Sequence, residues 1–413
     1  ATTGMFGAGN VVGPVNGAIT PFLYSLTIDA TNPIVEGAPN ALEATFQLRT
    51  PVQLGLTANE TIAFEPILAA LRLDPAASAA IAGLTDQGQF FDAYGDLMPQ
   101  YSDGATEVAM TAIRQMQSAT SNRMAATRMQ GLDEVSVWGQ EIAYGVEREP
   151  PNRNAQAFRG NGFGFAGGID GPTDNGGLFG LSLSFIASEV EEPSRPEGQI
   201  SAWFGQANAY YATAVGAIDL DFVAGLGGGK MTSERSVEIG TAFSAVSEAD
   251  WTSLEGHGSA RASMPLALSR NFTITPQAAL TYAGVSQGGY TETGGGAAVD
   301  LEVDDQFSQR LWADVGVEFA ANMHFGSQTV VSPRIYAGYR ANVLDSESER
   351  TVRFVSTGTP FTLTDEGVGD GGPLIGIGFD ATNGYSTFSL GYEGEFSDQI
   401  ERHSLNAAIR FRF

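Results

Sequence analysis

The residues able to do chemistry are few and scattered. Histidines stand at positions 257, 324 and 403, each in a separate segment, and the 413 residues contain no cysteine. Metal centres built on imidazole or thiolate need several ligands at short spacing, and a lone acid such as Glu255 or Glu401 does not supply them. A serine hydrolase of the nucleophile-elbow type is not expected. The stretch GLGGGK, Gly225 to Lys230, has a superficial likeness to a phosphate loop but lacks its spacing. It is read as a glycine-rich rim at a strand end. Three acidic stretches, SEVEEPSRPEG, DLEVDD and DEGVGD, bring several carboxylates together. They could hold divalent cations through oxygen ligands; the plainer reading is hydrophilic, solvated loops. No catalytic group, metal site or cofactor is therefore expected.

Composition narrows the function classes. The chain carries 52 Gly, 25 Phe, 12 Tyr and a net charge of −26, with Lys230 as its single lysine. Such a length can bury a large core, so the acidity does not imply disorder. Nucleic acid is excluded as a partner, because its phosphates call for a basic groove. The lack of cysteine removes disulfides and says little about compartment. No stretch approaches the run of about 20 apolar residues that a membrane helix needs. No signal peptide is present and Ala1 is not an initiator methionine, so a mature form or an excised fragment is expected.

The elements that would position any site change character along the chain. Residues 1–56 hold short β-type runs, LYSLTID (Leu23 to Asp29) and ATFQLR (Ala44 to Arg49), between turn residues. Thr57 and Glu60 form a capping box that opens a helical stretch, residues 57–100. Residues 101–130 contain a Pro-free run, Ser102 to Arg128, rich in Ala, Met, Gln and Arg. As a helix it would be about 40 Å long, enough to cross a hydrocarbon layer of about 30 Å, but too polar to face lipid.

From residue 131 to 413 the period is two. Leu181, Leu183 and Phe185 alternate with Gly180, Ser182 and Ser184, and Leu311, Ala313, Val315, Val317 and Phe319 alternate with Trp312, Asp314, Gly316 and Glu318. Acids and arginines in mid-strand, Asp314, Glu318, Glu393 and Arg410 among them, suit a wet barrel interior with the apolar face toward lipid. Strands are expected near 134–147, 155–169, 177–188, 199–212, 216–229, 250–264, 272–286, 306–322, 328–342, 372–381, 385–395 and 400–413. Their number, twelve, is even. Tight turns (DGPTDNG, ALSRN, HFGSQ, DATNG) alternate with longer loops, the longest being Gly229 to Ala249, Gln287 to Asp305 and Ala341 to Gly371. Short periplasmic turns and long outer loops are the habit of outer-membrane barrels. In the last strand Leu405, Ala407, Ile409, Phe411 and Phe413 would face lipid and Asn406, Ala408, Arg410 and Arg412 the lumen. The alternative is a buried strand of a soluble β-protein. His257, in EGHGSAR, is read as a lumen or loop residue.

In this order the segments resemble the C-terminal part of an autotransporter of the type V secretion class in Gram-negative bacteria. PFLYSLTIDA through RLDP resembles the end of a passenger β-helix and its short helical stretch, and LTDQGQFFDAYGDLMPQYSDGATEVAM resembles the linker before the barrel. VSVWGQEIAYGVE and FGFAGGIDGPTDNGGLFGLSLSF resemble its first strands. The terminal NAAIRFRF is similar to the signal read by the barrel assembly machinery. Asn406, Phe411 and Phe413 fit that signal, whereas Ala408 stands where it prefers Gly. The resemblance implies a mainly β fold: a twelve-stranded antiparallel transmembrane barrel with an α-helix through its pore and a passenger remnant before it. It implies outer-membrane lipids and lipopolysaccharide, the barrel assembly machinery, periplasmic chaperones and the passenger as partners. Arg114, Arg123 and Arg128 of the pore helix are expected to pair with lumen acids such as Asp314, Glu318 and Glu393, offsetting the cost of enclosing charge. A periplasmic helix, or one that leaves with the passenger, stays open. Some autotransporters cut their own linker by cyclisation of an Asn, usually in an Asn-Asn pair; here Asn122 stands alone before Arg123 and reads as an ordinary helix residue. Two functions remain: a translocator unit that exports and anchors an upstream passenger at the cell surface, or a free-standing outer-membrane channel with a vestigial passenger.

Overall fold

The computed structural model describes residues 20–29, 43–99, 103–128, 135–149, 157–192, 195–326, 329–345, 349–364, 367, 369–383 and 386–412. The first element is an antiparallel hairpin of Tyr24–Asp29 with Glu43–Leu48, in register from Tyr24 opposite Leu48 to Asp29 opposite Glu43. Among the described residues five helices follow, α1 (Pro51–Leu54), α2 (Ala58–Leu71), α3 (Pro75–Gly83), α4 (Gln87–Leu97) and α5 (Gly104–Arg128). Their starts are written in the sequence. Thr57 caps α2 while the Thr57 N–H donates to Glu60 Oε2 at 2.7 Å, and Asp74 and Asp86 accept from the first free N–H groups of α3 and α4. Among the described residues no helix is long and apolar enough to cross a membrane.

Most of the remaining described residues form the barrel. Its strands are β1 (Ser136–Arg148), β2 (Phe158–Pro172), β3 (Leu178–Glu192), β4 (Arg195–Val215), β5 (Ile218–Ile239) and β6 (Phe243–Ser263). They continue as β7 (Phe272–Gln287), β8 (Gln306–Ala321), β9 (Thr329–Asp345), β10 (Gly371–Thr382), β11 (Ser386–Phe396) and β12 (Ile400–Arg412). Each pairs antiparallel with its neighbour in sequence, and β12 returns to β1, from Arg412 opposite Ser136 to Ile400 opposite Arg148. No edge is left in the ring, which is the condition for a sheet to stand in hydrocarbon. The twelve expected strands are all present. At one end lie tight connections such as the Pro172 to Leu178 and Val215 to Ile218 turns; at the other lie the two long connections, β7–β8 and β9–β10, beside short ones between β5 and β6 and between β11 and β12.

One expected loop is a strand ribbon instead. The stretch Gly229 to Ala249 continues β5 and β6, which stay paired as far as Ile239 opposite Phe243. Beyond the membrane band neither face of the hairpin meets lipid, so the apolar alternation that marks a membrane strand fades there. GLGGGK is consequently mid-strand in β5, not at a rim. A Cβ at Gly225 would lie 2.1 Å from Asn208 Oδ1, and one at Gly227 2.4 Å from Glu255 Oε1, so these glycines clear room for side chains of the neighbouring strands.

The two faces divide as the period demands. Along β3 every second residue is buried from Leu178 to Glu192, while Leu181, Leu183 and Phe185 are exposed. Along β8 Phe307, Val315 and Phe319 point outward and Trp312 is buried. A soluble protein does not clothe itself in such rows; a lipid-facing band does. Two apolar cores lie elsewhere. One fills the ring around α5; the other, beyond the long-connection end, joins α1–α4 to the β5–β6 ribbon and the outer connections.

Candidate functional site

The site is the lumen and the helix that occupies it. At 1.5 Å per residue the 25 residues of α5 span roughly 37 Å. Small and flexible side chains let it lie close to the wall: Ala109, Ala112, Ala119, Val108, Met116 and Met124 are buried against β1–β5 and β7. Gly104 lies at the long-connection end and Arg128 at the tight-turn end, from which the chain enters β1.

Two ionic anchors hold the helix, one near each end. At the long-connection end Glu107 accepts from Arg310 Nη1 at 3.1 Å and from Arg402 Nη2 at 2.6 Å. Arg402 Nη1 also donates to Glu395 Oε1 at 2.7 Å, and Glu395 Oε2 accepts from Arg114 and, at 2.8 Å, from Arg340. Arg340 closes the chain with a bidentate pair to Asp314, both contacts at 2.7 Å. The helix thus contributes one acid and one arginine to a continuous buried network. Its partners come from β8, β9, β11 and β12, so the network ties the helix to the far wall of the ring. At the other end Arg123 Nε donates to Asp170 Oδ2 at 2.6 Å, and the same oxygen accepts from Tyr210 at 2.7 Å. Trp138 Nε1 in turn donates to the Tyr210 hydroxyl at 2.9 Å. Tyr210 reaches this position by lying over Gly180, where a Cβ would come within 2.2 Å of its ring. Between the anchors Gln117 Nε2 donates to Ser259 Oγ at 2.8 Å, and beside Glu107 Gln287 Nε2 donates to Thr106 Oγ1 at 2.7 Å.

The helix does not fill the ring. A polar cavity of about 1450 Å³ runs between α5 and the wall, bordered by Gln117 and Asn122 on the helix and by Glu318, Arg334, Glu393 and Asn406 on the strands. It reaches residues of the tight-turn end, Thr173, Ala214 and His324 among them.

The expected site residues separate accordingly. Arg114 and Arg123 meet buried acids, but these are Glu395 and Asp170, not Asp314, Glu318 or Glu393. Asp314 is committed to Arg340, while Glu318 and Glu393 line the cavity. Alternation assigns a residue to the lumen; only the strand stagger decides which helix turn it meets. The side chain of Arg128 lies outside the described residues. Arg410 is buried and donates to Thr387 Oγ1 at 3.1 Å. Asn406 borders the lumen, Ala408 is half-buried, and Phe411 is exposed on the outer face with Leu405 and Ile409; Phe413 lies outside the described residues. Glu107, Arg310, Arg402, Glu395 and Asp170 were missed. The available signal was Glu107, the single acid in a long Ala- and Met-rich helix.

The remaining candidates fall to structural places. His257 faces the lumen within hydrogen-bond distance of Gln206 Nε2, His403 faces outward under Tyr392, and His324 borders the cavity mouth. The string GVSQG, Gly284 to Gly288, has the G-x-S-x-G spacing that the sequence reading passed over. Ser286 lies on the outer face of paired strand β7, opposite Phe307 and Leu254, with no strand-to-helix turn beneath it. In DLEVDD, Asp300 accepts from Ser247 Oγ at 2.7 Å and from the Gly296 N–H at 3.0 Å, while Glu302 and Asp304 pair with Arg353. Those carboxylates are matched within the protein.

The autotransporter beta-domain family profile matches residues 137–395. The translocator domain of the autotransporter NalP from Neisseria meningitidis is similar, with a TM-score of 0.53 at 16% identity over 75% of this chain and 99% of that one. So is the beta domain of the Bordetella autotransporter BrkA, with a TM-score of 0.50 at 18% identity over 68% of this chain and all of the other. No curated protein sequence matches. The family match over most of the chain, the closed twelve-stranded ring and the helix within it lead to one conclusion: this chain belongs to the autotransporter beta-domain family and is a translocator unit of the Gram-negative outer membrane.

Proposed function

We propose that the lumen is the route by which residues upstream of α5 reach the cell surface, and that α5 stays behind as the plug of the used pore. The observation that carries this reading is the direction of α5. Its N-terminal end lies at the long-connection, outer end beside α1–α4, and its C-terminal end lies at the periplasmic end next to β1. The exported part is thus outside while its tether runs back through the ring. Ion pairs at both ends of the helix suit a final, locked state, since a buried charge is tolerated only when paired.

The same reading gives the other residues their roles. Asn406, Ala408, Phe411 and Phe413 act as the strand signal presented to the barrel assembly machinery after periplasmic chaperones deliver the chain. The lipid-facing rows contact outer-membrane lipids and lipopolysaccharide. The barrel supplies a conduit, and any catalytic activity belongs to the passenger upstream. A free-standing channel is not favoured, because α5 and its anchors occupy the ring.

A surface-display assay tests the proposal. A tagged foreign domain is fused before Ala1, behind a secretion signal, and protease is added to intact cells. Loss of the tag with the periplasm still protected is the expected result. A tag that stays protected beside an inserted barrel would overturn it.

A further inference from the structure

The second apolar core lies outside the barrel ring and is built from four separated parts of the chain. Helices α2 and α4 bring Phe64, Ile67, Leu71, Tyr94 and Leu97. The β5–β6 ribbon brings Val237 and Ile239, the β7–β8 connection Val299, Leu301 and Val303, and the β9–β10 connection Val352, Phe354 and Leu363. Those two connections pair into one four-stranded sheet, Tyr290–Thr291, Leu301–Val303, Glu349–Phe354 and Phe361–Thr364, on which the helices rest.

Polar contacts fix the register of this packing. Asn59 of α2 binds the last strand of the sheet in both directions: its Nδ2 donates to Thr364 O at 2.8 Å and its Oδ1 accepts from Thr364 N at 3.2 Å. Asp96 of α4 does the same for the ribbon, its carbonyl accepting from Arg235 Nη1 at 2.8 Å and its carboxylate from Glu238 N at 3.1 Å. Arg235 is held in turn by Glu292 and by Val299 O at 2.8 Å. The N-terminal hairpin joins through Phe22 N, which donates to Leu84 O at 2.7 Å. This is the composition of a domain interior, not of a wet contact between separate modules.

We infer that residues 20–29 and 43–98 form a cap bound to the outer connections of the barrel, so that cutting the chain between α4 and α5 leaves everything upstream held at the cell surface. The covalent link between cap and helix runs through residues 99–103, and none of the contacts above depends on it. Retention of an exported segment would then rest on packing as well as on the chain. This rests on the proposed export reading, and the test separates the two.

The full chain carries a secretion signal and an epitope tag before Ala1, with a protease recognition sequence between Pro99 and Asp103. Removal of the tag from uncut cells by a general protease establishes that the segment is outside; failure at that step counts against export, not against the cap. The specific protease is then added, cutting is scored on denaturing gels, and washed cells are compared with the supernatant. The tagged fragment is expected to stay with the cells after cutting. Its appearance in the supernatant would overturn the inference. Phe354→Asp in the β9–β10 connection and Leu71→Asp in α2 reach the core from opposite sides, and each is expected to release the cut fragment while the barrel remains heat-modifiable. Retention by both variants equal to that of the parent would also overturn it, because the core would not be what holds the fragment.

Discussion

Glu107 is the residue on which the outer anchor turns, because two buried arginines of different strands, Arg310 and Arg402, meet on its carboxylate. Removing that charge leaves both guanidinium groups enclosed without it. Breaking a buried pair from one side costs about 3–5 kcal/mol. Glu107→Gln is therefore expected to lower the temperature at which the compact, heat-modifiable form is lost, whereas Glu393→Gln, which only borders the cavity, should shift it little. Equal shifts for the two would mean that the network is not the anchor. The comparison also shows how far single residues are legible. Glu393 and Glu395 share one face of β11, and alternation alone makes them equivalent lumen acids. They differ in height: Glu395 stands opposite Arg402 in β12 and so reaches Arg114, while Glu393 looks into the cavity. Height depends on the stagger between distant strands, which a local pattern does not carry.

At the scale of elements the barrel strands are readable because each obeys the same local rule, one face for lipid and one for the lumen. The rule weakens where a strand leaves the membrane, and there the β5–β6 ribbon is mistaken for a loop. The helix is readable from composition: α5 lacks Pro, is rich in Ala and Met, and carries arginines that could not face lipid. Its place against β1–β5 and β7 leaves the cavity on one side only, so the helix is the main obstacle within the ring. A chain starting at residue 129 is expected to show a higher single-channel conductance in planar bilayers than one starting at residue 103, since both lack the cap and only the second keeps α5. Unchanged conductance would mean that the helix does not plug the pore.

For the whole molecule, closure and capping pose different problems of legibility. The cap was not legible, because its core draws on four segments far apart in sequence, each with an apolar run too short to declare a partner. Closure left a local trace in the outward row Leu405, Ile409 and Phe411 of β12, which Phe413 continues in sequence. The ring can shut only when β12 pairs with both β11 and β1, so the last strand of the ring in chain order is also the one that completes the wall. A recognition signal there would act before closure; a packing role would act after it. Phe413→Ala separates these. If the terminal aromatic is read during assembly, the variant yields less heat-modifiable barrel in the outer membrane, yet the barrel that does form unfolds at the parental temperature. A normal yield would remove the signal, and a normal yield with a lower unfolding temperature would reassign Phe413 to packing at the membrane boundary.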